Sequence, residues 1–126
     1  MSGGAWEYVA GYVNNGHGNL TNYGSSLVNG DAKTKNVYSK ASSDSYENNY
    51  NANSSKYGDA VYETSTNGSG STSWYGDYSY FPGTSNPFFE RGGSYDNGTS
   101  AGVFYFYYND GNSYSYSSFR PVLVAL

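Results

Sequence analysis

Cysteine is absent from this chain. With it go disulfide frameworks, thiolate metal sites and thiol nucleophiles. Cations are scarce: six Lys and Arg stand against ten Asp and Glu, for a net charge of −4. Phosphate neutralisation needs clustered cations, so nucleic acid is not an expected partner. Aromatic rings could stack on bases, but no basic groove accompanies them. The one histidine, His17, lies between Gly16 and Gly18 in a turn pattern. Without a second His or a Cys it makes no transition-metal site. General-base chemistry would need a nucleophile and an orienting acid, and none is identifiable. No apolar run approaches the roughly 20 residues of a membrane span, so no membrane insertion is expected. Met1-Ser2-Gly3-Gly4 leads straight into Ala5-Trp6-Glu7-Tyr8 with no signal-peptide pattern. Export would depend on an upstream region or on assembly into a virion.

What the chain has instead is tyrosine and glycine, 17 of each, with six phenylalanines in 126 residues. The length suggests one domain, residues 1–126. The core must be largely aromatic, and buried tyrosine hydroxyls need partners, which favours a sheet with many turns. Interior glycine costs about 1 kcal/mol relative to alanine in a helix, which argues against long helices.

Along the chain, Trp6, Tyr8, Ala10 and Tyr12 alternate with Glu7, Val9, Gly11 and Val13. Period two and β-branched and aromatic content predict a strand, ended by the turn Asn14–Gly18. From Asn19 to Asn53 the chain is polar and weakly patterned, and reads as surface loops with little regular structure. Residues 57–64 read as a short amphipathic strand, followed by a Gly/Ser/Thr loop. Trp74-Tyr75 and Tyr78–Phe81 are aromatic anchors. Phe88–Tyr95 predicts a strand in which Gly92-Gly93 marks a bulge or a close backbone approach. Asp96-Asn97-Gly98 is a turn. Ala101–Tyr108 is the clearest strand, with Val103, Tyr105 and Tyr107 on one face and Phe104, Phe106 and Tyr108 on the other. Asn109–Asn112 turns it, and Ser118–Leu126 is the last strand, with Pro121 placed at an edge or bulge. Antiparallel pairing of these last three strands is the simplest topology.

Three motifs in order resemble one family. Met1–Tyr8 is similar to the "M-x-G-N-V-W-E-W" segment of the formylglycine-generating enzyme (sulfatase-modifying factor) superfamily. Arg91-Gly92-Gly93-Ser94-Tyr95-Asp96-Asn97 is similar to its "R-G-G-S-W-x-N". Phe119-Arg120 resembles its closing "G-F-R", with Ser118 in place of the glycine. The resemblance implies an α+β fold, mostly β and loop: a C-type-lectin-like small twisted antiparallel sheet with long irregular loops. It spans only the C-terminal part of a usual family member, so the chain is expected to be a trimmed version or part of a longer protein. The nearer likeness is to the variable proteins of diversity-generating retroelements and phage tropism determinants, through Arg91–Gly98, Ala101–Phe104 and Phe119–Pro121. There the frame is constant and intervening asparagine codons become chiefly Tyr, Asp, Ser, Thr, His or Ile codons. Residues 105–117 have that composition. Residues 40–60 are equally rich in these types, so composition alone does not identify a diversified segment.

The expected ligand surface comprises Tyr95, Asp96, Asn97, Tyr105, Tyr107, Tyr108, Asn109, Asp110, Asn112, Tyr114 and Tyr116. Tyrosine gives rigid contact area at low entropic cost, and Ser, Asn and Gly give adaptable hydrogen bonds. The same tyrosines could equally pack a tyrosine-built core. Trp6, Glu7, Arg91, Gly92, Gly93, Phe119 and Arg120 are expected to be structural. The arginines should be half-buried and need a carboxylate or carbonyls, with Glu7 the first candidate and Glu90 and Glu63 behind it. Asn109–Asn112 and Asp96-Asn97 offer oxygen ligands but lack the carboxylate pattern of a calcium loop. No cofactor is expected, and structural calcium stays open because some members of the superfamily bind it.

The expectation is a non-enzymatic binding domain of a phage tail or bacterial surface protein, extracellular or on the virion, recognising a host-surface protein or glycan. Display on a homo-oligomer would add avidity. The alternative is a Tyr/Asn/Gly-rich self-assembling structural protein. A formylglycine-generating-type enzyme is disfavoured because that chemistry uses cysteines.

Overall fold

The structure, a computed structural model, describes residues 3–120. Strand β1 (Trp6–Asn14) is its axis. The predicted alternation holds, and it splits the chain between two packing faces: Tyr12 enters one apolar cluster and Val13 the other. One edge of β1 pairs antiparallel with β5 (Phe88–Gly92), setting Glu7 against Arg91, Tyr8 against Glu90 and Tyr12 against Phe88. Its other edge is shared by two parallel partners. β7 (Ser117–Phe119) takes Trp6–Tyr8, and β2 (Asn36–Ser39) takes Gly11–Asn14. β6 (Gly102–Asn109) runs antiparallel to β5. Beyond it lie the two-residue strands β4 (Ser79–Tyr80), parallel to β6, and β3 (Ser69–Gly70). The result is a mostly β, α+β chain with a curled mixed sheet.

The mixed sheet corrects the antiparallel expectation. β5 and β6 pair as expected, but the last strand does not join them. It crosses to β1 and runs parallel, with Trp6 N–H donating to Tyr116 O at 2.7 Å and Ser118 Oγ to Trp6 O at 2.8 Å. The predicted strand beyond Arg120, Pro121 included, lies outside the described residues.

Two further corrections concern segments that carry no clean period. Residues 19–53 are ordered, with α1 (Asn19–Asn22), α2 (Ser25–Asn29), β2 and α3 (Tyr46–Ala52). Side-chain amides hold this region. Asn49 is fully buried, accepts from Ala41 N–H and donates to Asp44 Oδ1 and Pro82 O. Asn53 accepts from Ser39 N–H and donates to Ser39 O and Asn49 O. Ser45 caps α3 by accepting from Asn48 N–H, and Glu47 stands in its first turn, where a carboxylate favours the helix dipole. Residues 57–64, expected as a strand, form bends and turns. Gly58 and Ala60 have positive φ there, outside the β region, while Val61 is driven into the core.

One face of the sheet carries the larger core, Val13, Tyr38, Tyr50, Val61, Phe81, Phe89 and Phe106. Tyr50 donates to Ser65 O, and Tyr62, packed against the cluster, donates to Tyr50 O. The other face holds Tyr12, Leu20 and Phe88 against α1 and α2. Among the described residues no helix is long and apolar enough to cross a membrane.

Candidate functional site: an aromatic groove over Glu90

The second face of the sheet is covered only in part. Where α1 and α2 stop, the rows from β1, β5 and β6 open into a groove of about 280 Å3. Period two puts Phe88 and Glu90 on the same side of β5, so a carboxylate stands where the pattern calls for core. Glu90 is 1% exposed. Ser117 Oγ donates to one oxygen at 2.5 Å, and Asn109 Nδ2 donates to the other at 2.8 Å. Asn109 in turn accepts from Tyr8 Oη at 2.5 Å. Burial raises the Glu90 carboxyl above its ordinary value, and the charge of Asp110 adds to that, while the bonds from Ser117 and Asn109 pull the other way. Among the described residues no Lys, Arg or His makes an ion pair with it, since the ion pair they contain is Arg120 with Glu7.

Aromatic rings form the walls. Trp6 and Tyr105 are both nearly buried and meet edge to face at 4.6 Å. Tyr107 lies 5.6 Å from Trp6 and perpendicular to Tyr105. Tyr108 stacks on Tyr107 at 4.4 Å and on Tyr46 of α3 at 4.4 Å. Burial, ahead of the neighbouring phenols of Tyr78 and Tyr108, pushes the Tyr105 phenol up to about 12. The rim is a 3-10 turn over Tyr95–Ser100, fixed by reciprocal capping between Ser94 and Asn97, with Ser94 N–H donating to Asn97 Oδ1 at 2.6 Å. The turn is reached through Gly92 and Gly93, both at positive φ. A Cβ on Gly93 would stand 2.9 Å from the Ala101 Cβ and 3.0 Å from the Tyr105 ring, so glycine is what lets β5 leave the sheet there.

Of the residues expected at a ligand surface, Asp96, Asn97, Tyr105, Tyr107, Tyr108, Asn109 and Tyr116 line this groove. Tyr95 points away and is 73% exposed. Asp110, Asn112 and Tyr114 form an outer knot beyond Asn109. Tyr114 Oη donates to Asp110 Oδ2, Asn112 O accepts from Tyr8, and Tyr114 stacks on Tyr116 at 5.2 Å. Sequence reasoning kept Trp6 as frame and Glu90 as an arginine's partner, whereas both line the groove. The signal for Glu90 was present: a lone acid on the apolar side of Phe88-Phe89-Glu90.

The frame residues also divide. Glu7 holds Arg120 at 3.0 Å, but Arg120 is exposed rather than half-buried, and Phe119 is 77% exposed. The exposure of Arg120 is a correction. A three-residue strand on an edge buries its backbone pairing and little of its side chains. Arg91 lies on the opposite face. Its guanidinium donates to Asp59 O at 2.5 Å and sits 5.8 Å over the Phe106 ring, beside the carboxylates of Asp59 and Glu63. It lines a separate cleft of about 350 Å3 with Lys33 and Asp59. Among the described residues no three His, Cys, Asp or Glu side chains cluster as metal ligands.

The raised Glu90 carboxyl sets a pH dependence. In the folded state it holds its proton above the unfolded value of about 4.5. Below that value both states are protonated and Glu90 contributes no slope. As pH rises through the folded value, ionisation costs the folded state more than the unfolded one. The stability of wild type relative to Glu90→Gln is therefore expected to fall as pH rises from the unfolded carboxyl value through the raised folded one, measured by urea unfolding of both proteins. A flat difference would mean that Glu90 titrates normally.

Comparison of the chain with protein-family models, with curated proteins and with solved structures gives no match.

Proposed function

We propose that the chain is a ligand-binding domain of C-type-lectin-like fold, carried by a phage tail or bacterial surface protein, and that its site is the groove over Glu90. The observation that supports this reading most is convergence. Residues from the Ser94–Asn97 turn, from β6 and from the segment before β7 come from separate parts of the chain and line one concave surface. Concave, largely aromatic surfaces with a few directed polar groups are where ligands bind. Tyr107, Tyr116 and Asn97 would supply contact area and hydrogen bonds to a host protein or glycan, over a floor that packing holds still. The resemblance of the Arg91–Gly98 and Phe119-Arg120 motifs to variable proteins of diversity-generating retroelements fits a constant frame with exchangeable groove residues.

The test is binding of the purified protein to arrays of cell-surface glycans and to intact bacteria. Tyr107→Ala and Asn97→Ala are expected to weaken any specific binding by about tenfold or more, whereas Tyr57→Ala, on the other face, leaves it unchanged. Binding that ignores the groove substitutions would refute the reading.

A second reading, self-assembly, has one observation in its favour. Trp74 and Tyr75, 55% and 92% exposed, pack against Phe104 at 5.2 and 5.8 Å and form an aromatic patch away from the groove. Sedimentation separates the two: discrete species accompany a binding module, and concentration-dependent polymers accompany an assembly unit.

A further inference from the structure

We infer that the groove takes a cationic head group, an alkylated ammonium, lying against the aromatic wall of Trp6, Tyr105 and Tyr107 on the Glu90 side of the groove. The inference rests on the reading of the groove as the ligand site and names the chemistry of what enters it.

A buried carboxylate is costly unless a counter-charge or several donors compensate it. Glu90 is 1% exposed and has two neutral donors, a serine hydroxyl and an asparagine amide. The cations of the described chain are elsewhere. Arg91, its neighbour in β5, faces the opposite side of the sheet, and Arg120 is held by Glu7. The groove's other charged lining residue, Asp96, is also acidic. Among the described residues the charged groups that line the groove are acidic, and none is positive.

The walls make the same selection. Ring faces carry negative potential, and Trp is the strongest partner for a cation. Trp6 meets Tyr105 at an interplanar angle of 69°, and Tyr105 meets Tyr107 at 86°. With centroids 4.6, 5.6 and 6.0 Å apart the three rings pack on one another and present a single aromatic wall to the groove. A neutral sugar would use the rings but would bring no counter-charge to a carboxylate whose two donors are neutral. An anionic ligand would meet Glu90 and Asp96 with no cation in the lining. The volume, about 280 Å3, lies at the small end for ligand sites and suits a head group, with the rest of the ligand outside past Tyr116.

The experiment is titration of the whole chain with choline and with its uncharged isostere 3,3-dimethyl-1-butanol, followed by calorimetry and by tryptophan fluorescence. Choline is expected to bind about tenfold more tightly than the isostere, the difference a desolvated cation–π contact provides. Glu90→Gln and Tyr107→Leu should each weaken choline by about tenfold while near-UV circular dichroism stays native, and Tyr57→Ala should leave it unchanged. Equal affinity for choline and the isostere would overturn the inference, since the groove would then be merely apolar. So would no choline binding by folded wild type, or choline binding unaffected by Tyr107→Leu. Saturable binding of a neutral methyl glycoside, lost in Tyr107→Leu, with no response to choline would overturn the cationic class and leave the groove standing as the ligand site. Failure of that broader reading has a different signature: surface binding insensitive to every groove substitution.

Discussion

Replacing Phe81 with alanine is expected to destabilise the fold by about 3–5 kcal/mol. Phe81 is fully buried. Its ring meets Tyr38 at 5.2 Å, Phe89 at 5.3 Å and Tyr50 at 5.6 Å, each in an edge-to-face arrangement. Those contacts add to the area term, because aromatic pairs contribute about 0.5–1.5 kcal/mol beyond burial. The neighbours are poorly able to collapse into the hole. Tyr50 is tethered through its hydroxyl to Ser65 O at 2.8 Å, and Phe89 is fixed in β5. At an m-value of about 2 kcal/mol/M, the urea midpoint should fall by roughly 1.5–2.5 M. A loss under about 1 kcal/mol would mean that the ring cluster relaxes freely and is not the centre of stability.

The second large effect comes from a polar residue. Asn49→Leu keeps the volume and removes three hydrogen bonds. It leaves Ala41 N–H and Pro82 O without the amide and takes one donor from Asp44 Oδ1, which keeps Thr84 N–H, all around a side-chain position that is fully buried. Buried groups left unpaired cost about 1–3 kcal/mol each, so a loss of about 4 kcal/mol is expected, from an exchange that adds apolar surface to the core. A neutral or stabilising result would show that the amide network is dispensable. The pH profile should change too. Burial works to raise the Asp44 carboxyl, but hydrogen bonds from Asn49, Thr84 and Asn15 outweigh it and hold Asp44 below the ordinary carboxylate value. A depressed carboxylate contributes stability that is full above its unfolded value and lost as pH falls through the folded one. Removing the Asn49 donor weakens the depression, so the variant should lose that contribution at a higher pH than wild type.

These two residues show which parts of the fold were legible. Phe81 stood in a visible aromatic run, and β1, β5 and β6 announced themselves by alternation, because one residue in two meets the core. Asn49 sat in a stretch that reads as loop. Its order comes from amides bonding to main chain across 8 and 33 residues, and no periodicity records that. The site was legible in the same way. Tyr105, Tyr107 and the Asp96-Asn97 turn lie within one sequence neighbourhood, so composition could suggest them. Trp6 enters from more than a hundred residues away through the β1–β7 pairing, which no local pattern specifies. Arg120 misled because an arginine framed by apolar residues suggests burial, whereas a short edge strand is held by its backbone.

The two-sided use of β1 has a kinetic consequence. Trp6–Tyr8 must wait for Ser117–Phe119, so the last ladder to zip joins segments at opposite ends of the described chain. Contacts of that sequence separation form slowly, because the loop between them must close before any bond rewards it. During synthesis from the N-terminus, the cores around Phe81 and Phe88 can assemble while Glu90 still lacks Ser117 and the groove lacks Tyr116. The groove over Glu90 is thus completed only once Tyr116 and Ser117 arrive. A chain stalled before residue 117 would carry a packed core beside an unfinished groove.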